Sequence, residues 1–444
     1  MIVIAVRVVF TFLVLIFTPF SVNAGSKDTL SSLTFDELLS VEVGKGGQGV
    51  FVSGSYDGLN QPINIGLVLP VSKYPTYSTE LIAAADSAAE IINKHGGILG
   101  RPIAIIRGDD ASNNDMAMSV TKELLDDFNA QVLIGPVESD RAQQVAEQLT
   151  LPNDIPLIAP TASMNQLVEN NSRGLVYRLI ASNAMQGEAI AKHIAQQSRH
   201  KKVIVIRTKH DYDIELTNEI IDSLNKKNGK VIEQIVLSRL VNYKEYNMKP
   251  VIQTLKNDKP QTVIVILPQF QAVQVLEHIE QANLSTMPLF ITADLVKPTP
   301  IINADLPEIK KCLSMVIAES QRVDYNVFKQ VSEKLNLDST TYDSAYFFDS
   351  VFIMAYAKIY AQLNKVSFDE AILKITADGI QLTPDDFHRF PELATKHTSF
   401  QFDGASGRTH LNNNGHNVAA SLYFWSPETA NKPLRKCGKA SRQS

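Results

Sequence analysis

The sequence predicts an α/β protein of two Rossmann-like lobes with mainly parallel sheets. Three observations carry this. From Pro62 onward, short β-rich runs alternate with stretches of helical periodicity. Single helices separate successive strands, which implies right-handed βαβ crossovers and parallel pairing. After Tyr177-Arg178-Leu179-Ile180 the series starts again, so one chain holds two such units.

The amino-terminal residues stand outside both units. Arg7 is the only charge before an apolar core from Val8 to Phe17, Pro19 breaks the run, and Val22-Asn23-Ala24 supplies small residues before Gly25. This is the pattern of a secretory signal peptide over 1–24, cleaved after Ala24. Its core undershoots the ~20 residues of a spanning helix, so export to the periplasm is expected. A leader follows over 25–61. Leu33-Thr34-Phe35-Asp36-Glu37-Leu38-Leu39 reads as a short amphipathic helix with Thr34 as N-cap, and the stretch Gly44 to Gly58 as a flexible linker. The phrase LTFDELLSVEV is similar to the segment preceding the plug of some TonB-dependent outer-membrane receptors. An envelope partner docking on 30–43 and a plain leader are the two readings.

In the first unit, Ile63–Leu69 is a β-rich run ended by Pro70. Helical spacing of Leu81, Ile82, Ala85, Ala88, Ala89 and Ile92 predicts a helix over 78–94. Strands are expected at 103–107, 131–134 and 156–159. In the second unit, strands at 202–207, 230–237 and 262–267 interleave with helices at 184–197, 213–227, 247–257 and 271–282. Tyr342 to Leu363 is a long, largely apolar helix, and residues 400–417 read as turns and a hairpin before a strand over 419–425. Residues 428–444 form a basic tail.

With 444 residues and 44% hydrophobic content, two or three domains with substantial cores are expected. A net charge of −5 without charged blocks gives no footprint for nucleic acid. Two cysteines, Cys312 and Cys437, are compatible with a disulfide in an oxidising compartment or with two thiols. No GxSxG, P-loop, HExxH or CxxC is present, and Gly96-Gly97-Ile98-Leu99-Gly100 follows a helix rather than a strand. Neither catalysis nor a cofactor or metal is expected.

Two segments carry a resemblance. One is Asn93 to Ile134, a helix ending on Gly96-Gly97, a Gly100-Arg101-Pro102 turn, an apolar run closed by Asp109-Asp110, then a helix and a strand opening into Gly135-Pro136-Val137-Glu138-Ser139. The other is the closing Phe400-Gln401-Phe402-Asp403-Gly404 to Asn417 hairpin. Their order resembles type I periplasmic binding proteins, in particular the leucine/isoleucine/valine-binding branch. The resemblance covers about 62–427 and implies a three-crossing hinge near 180, 318 and 398. Lobe 1 would then be 62–180 plus 319–398, and lobe 2 would be 181–318 plus 399–427.

The resemblance also implies a site. Ser139 and Ser163 would grip a ligand carboxylate, and the Thr161 carbonyl would meet an ammonium. Tyr77 and Tyr212 would close over the ligand from either side. The residues themselves allow a second reading, in which Ser139 and Thr161 cap helices. Relatives place an acid after the second lobe's third strand, where this chain has Pro268-Gln269-Phe270; Asp294 or Glu319 could substitute. The implied function is capture of a small amino-acid-like, amide or carboxylate ligand and delivery to an ABC permease and ATPase. The alternative is an envelope sensor or adaptor with the same fold.

Overall fold

The computed structural model describes residues 50–53, 61–169, 171, 173–196, 201–238, 247–318, 328, 333 and 343–427. Among the described residues no helix is long and apolar enough to cross a membrane. The expectations for the signal peptide, for 30–43, for Glu319 and for the tail fall outside them.

A six-stranded sheet organises the first lobe: β1 (Val50–Ser53), β2 (Ile63–Leu69), β3 (Ile103–Asp109), β4 (Val132–Ile134), β5 (Leu157–Ala159) and β6 (Val176–Arg178), in spatial order β1-β3-β2-β4-β5-β6. Strands β2 to β6 pair in parallel. Strand β1 departs from the flexible linker expected over Gly44 to Gly58. The β-prone Val50-Phe51-Val52 runs antiparallel along β3, with Val50 opposite Gly108, and satisfies backbone groups that an open edge would leave unpaired.

Both faces of this sheet are covered, as a parallel sheet requires. Ile63, Ile65, Leu67 and Leu69 of β2 share a core with helix α1 (Pro75–Lys94), whereas Val68 packs with α2 (Asn114–Asp126) and α3 (Ser139–Val145). Helix α1 starts three residues before the expected Ser78 because Pro75 is pre-organised for the first helical turn. Asn113 caps α2 by accepting from the Met116 N–H.

The second lobe repeats the plan. Strands β7 (Lys202–Arg207), β8 (Lys230–Val236), β9 (Thr262–Ile266), β10 (Leu289–Thr292) and β11 (Leu313–Ala318) pair in parallel in the order β11-β10-β9-β7-β8. Helices α4 (Asn183–Gln196) and α5 (Asp211–Asn225) cover one face; α6 (Lys249–Asp258), α7 (Gln269–Gln281) and α8 (Pro298–Asn303) cover the other. Cys312, just ahead of β11, is disulfide-bonded; Cys437, the chain's other cysteine, lies outside the described residues.

The chain then returns to the first lobe through α9 (Asp343–Asn364), α10 (Phe368–Ile375) and α11 (Phe390–Lys396), with strands β12 (Ile380–Leu382), β13 (Phe400–Gly404) and β14 (Gly407–Arg408). Helix α9 is buried from Asp343 to Ala357, which explains its nearly unbroken apolar sequence. Each fully buried Phe here contributes about 1.5–3 kcal/mol of transfer free energy.

The expected third crossing near 398 needs correction. Phe400 meets Phe390 edge to face at 5.3 Å and Phe402 meets Tyr356 likewise at 6.2 Å, so β13 and β14 belong to the first lobe's core. The chain passes over later, where Gly415 to Asn417 lies against Arg178 and Leu179. Only then does β15 (Leu422–Trp425) join the second sheet, antiparallel to β11.

Candidate functional site

The carboxyl ends of the strands carry the loops of interest, the edge at which open α/β sheets hold ligands. After β4 the backbone turns at Gly135, whose φ of +89° favours glycine; an added Cβ would lie 2.4 Å from the Val68 carbonyl oxygen. This tight turn presents Ser139. Its hydroxyl oxygen accepts from the backbone N–H of Ser163 at 3.0 Å and of Met164 at 3.3 Å. The Thr161 hydroxyl donates to the Val137 carbonyl at 3.4 Å. Neither hydroxyl caps a helix; they tie the loop after β4 to the loop after β5. Ser139 and Ser163 are 5% and 3% exposed, and the Ser163 hydroxyl makes no hydrogen bond among the described residues. A nearly dry hydroxyl is a donor held ready for an acceptor.

Acids beside Ser139 would repel an anion, but they share one guanidinium, which offsets one of their two charges. Glu138 pairs with buried Arg141, and Asp140 lies 3.8 Å from the same guanidinium. Behind them, burial pushes the Asp110 carboxyl up to about 6.

The facing wall is ionisable. The Tyr212 hydroxyl donates to Asp294 Oδ1 at 2.5 Å, and Gln186 bridges this pair by donating to Tyr212 at 3.4 Å and accepting from the Asp294 N–H at 3.2 Å. Asp213 accepts from Thr208 N and Oγ1 and thereby fixes the loop that presents Tyr212. Gln269 Oε1 accepts from the Lys297 N–H at 3.3 Å, so it orients the loop after β10. Lys297 Nζ in turn reaches across the cleft to Asp343 Oδ2 at 2.9 Å, the same oxygen to which Tyr77 donates at 2.9 Å. Burial raises Tyr77 and Tyr212 well above the ordinary phenol range, keeping both as neutral donors, and burial also raises Asp294.

Thus Tyr77, Tyr212, Gln269 and Asp294 enter one network, and Ser139, Thr161 and Ser163 form an adjoining cluster. Met164 joins the two by packing in the same apolar cluster as Tyr212. Next to the first crossing, Glu215 accepts from Asn165 N at 2.8 Å and from Asn183 Nδ2 at 2.9 Å. Fully buried Arg178 holds the carbonyls of Ser163 and Met164 at 3.2 and 2.8 Å.

Sequence reasoning missed Lys297, Asp343, Gln186 and Arg178. Asp343 had a visible signal, a charge opening an otherwise apolar helix, and Lys297 lies one turn beyond Asp294. Gln186 and Arg178 gave none, because their partners are distant along the chain. Among the described residues no cluster of His, Cys, Asp and Glu could hold a metal.

Comparison with known proteins bears on the family and the fold. A family model described as Periplasmic binding protein matches residues 62–316. A Leu/Ile/Val-binding protein of Rhizobium johnstonii is 30% identical over 166 residues, 37% of this chain and 44% of that relative. The leucine-, isoleucine-, valine-, threonine- and alanine-binding protein of Pseudomonas aeruginosa is 27% identical over 178 residues, 40% of this chain and 47% of that one. The chain therefore spans less than half the length of these curated relatives. In fold, it is similar to the branched-chain amino acid transporter substrate binding protein of Streptococcus pneumoniae in complex with isoleucine. The TM-score is 0.65 at 17% identity, covering 82% of this chain and 96% of that one. A solute-binding protein of R. palustris in complex with benzoate gives a TM-score of 0.64 at 17% identity, covering 83% and 94%. The chain belongs to the periplasmic binding protein family, with the type I fold and with sequence relatives in the leucine/isoleucine/valine-binding branch.

Proposed function

We propose that the protein is a non-enzymatic solute-binding protein of the periplasm, exported by cleavage after Ala24. It captures a small amino-acid-like, amide or carboxylate ligand between its lobes and delivers it to an ABC permease and ATPase. The observation that carries this reading is the cross-cleft network. Tyr77 and Asp343 of the first lobe meet Lys297 of the second at hydrogen-bond distance, with Tyr212 and Asp294 alongside. A ligand carboxylate would take the Ser163 hydroxyl, and a ligand ammonium would take Asp294 or Asp343. These two carboxylates supply the negative charge that the loop at Gln269 lacks. Relatives named for branched-chain amino acids support an amino acid, and the benzoate-bound neighbour supports a carboxylate.

The test is a thermal-shift screen of residues 25–444 against amino acids, their amides and short carboxylates. A ligand at 100 times its dissociation constant adds about 2.7 kcal/mol to stability. A shift of several degrees with one chemical class is expected; no shift across the panel would contradict the proposal.

A further inference from the structure

The first lobe holds a cavity of about 560 Å³ that the cleft does not use. Gln131, Pro156 and Leu175, each just before a strand of the first sheet, place it at the amino ends of β4, β5 and β6, opposite the cleft. Its floor comes from Lys358 of α9 and from Phe368 and Asp369 at the start of α10.

Lys358 is the anomaly. It sits between buried Ala357 and Ile359, where the helix otherwise places apolar residues. Its Nζ lies 5.9 Å from the Phe368 ring centre and 3.5 Å from Gln131 Oε1, and it forms no ion pair among the described residues. Burial, with Arg101 nearby, pushes its ammonium down to about 8. A desolvated cation without an anion is expensive to maintain in a core-facing position. The neighbouring charges have other attachments. Arg173 pairs with Asp154, and Asp369 occupies the first turn of α10, where the helix dipole favours it.

We propose that this cavity is a second small-molecule site, taking a single carboxylate on a compact apolar body. Lys358 supplies the counter-charge, and Phe368, Pro156 and Leu175 supply the apolar wall. The volume falls within the roughly 300–1,000 Å³ typical of ligand pockets. Arg173 is already paired with Asp154, so among the lining residues Lys358 is the cation left for a ligand, which suits a monoanion better than a dianion.

The experiment uses the full chain carrying ¹³Cε-labelled lysine, with benzoate as the probe. The Lys358 signal, assigned by its loss in K358M, is expected to shift on benzoate addition. Its pKa should rise from about 8 toward the ordinary 10.5, because an adjacent anion favours the charged amine. K358M removes a half-buried charge while keeping all but the last atom of the side chain's length, so it should melt no lower than wild type while losing about tenfold or more in benzoate affinity at this site. S163A, which alters the cleft alone, should leave the Lys358 response intact. An unmoved Lys358 signal, unchanged calorimetric affinity in K358M, or a response abolished by S163A would each overturn the proposal.

Discussion

On the first lobe's wall, Ser139 and Thr161 tie two loops together by hydrogen bonds made within the lobe, and the Ser163 hydroxyl is left over. On the facing wall, Tyr212, Asp294 and Lys297 form an ionisable network that crosses to Asp343 in the other lobe. The first wall presents its donor in a geometry fixed before any ligand arrives, which saves ordering entropy on binding. The second wall has its charges already matched to one another. On the proposed reading a charged ligand must exchange those partners, which would put selectivity there and rigidity in the first wall.

The sharpest way to break this comparison is to remove the Lys297–Asp343 ion pair that crosses between the walls. Asp343→Ala leaves the Lys297 ammonium without its anion and the Tyr77 hydroxyl without its acceptor, at side-chain exposures of 22% for Lys297 and 10% for Asp343. A loss of about 2–3 kcal/mol is expected in urea unfolding. Stability within 0.5 kcal/mol of wild type, about the ordinary surface-substitution range, would show that the pair contributes little.

A second pair of variants separates the two serines. Ser139→Ala strips two buried N–H groups of their acceptor and should cost about 1–3 kcal/mol of stability. Ser163→Ala removes a hydroxyl with no partner of its own, so it should leave stability nearly unchanged while weakening binding of a carboxylate ligand by about 1–3 kcal/mol. Equal stability losses in both would erase the distinction between a fastening serine and a gripping one.

The difference between the walls also decides what was legible in the sequence. Ser139, Thr161 and Ser163 lie on the loops after two buried strands, so local pattern placed them at that edge of the sheet, although not that Ser139 fastens one loop to the other. Lys297 and Asp343 are 46 residues apart, and Tyr77 lies 266 residues from Asp343, so only tertiary structure could join them. The parallel sheets were legible because buried strands and single helices alternate regularly. The third crossing was not. Phe400 and Phe402 read equally well as hairpin residues of either lobe, and their choice rests on Phe390, Tyr356 and Tyr360, which fill the first lobe.

A further effect follows from pH. Asp349 of α9 accepts from the Ala405 and Ser406 N–H groups and the Ser406 hydroxyl, yet complete burial holds its carboxyl up at about 7 rather than 3.8. The folded chain thus binds this proton more tightly than the unfolded one. The associated stability is fully present below about pH 4 and is lost as pH rises through about 7. Urea midpoints measured from pH 4 to 8 should fall across that window, and the Asp349→Asn variant should flatten the slope. An identical slope in the variant would remove Asp349 as its source.

The most direct test of a site shared by both lobes is calorimetric titration of the best ligand from the thermal screen into wild type, Ser163→Ala and Asp294→Asn. The account predicts that each variant, one from either wall, weakens binding by about tenfold, a loss near 1.4 kcal/mol. Wild-type affinity in both variants would place the ligand outside the cleft and contradict the account.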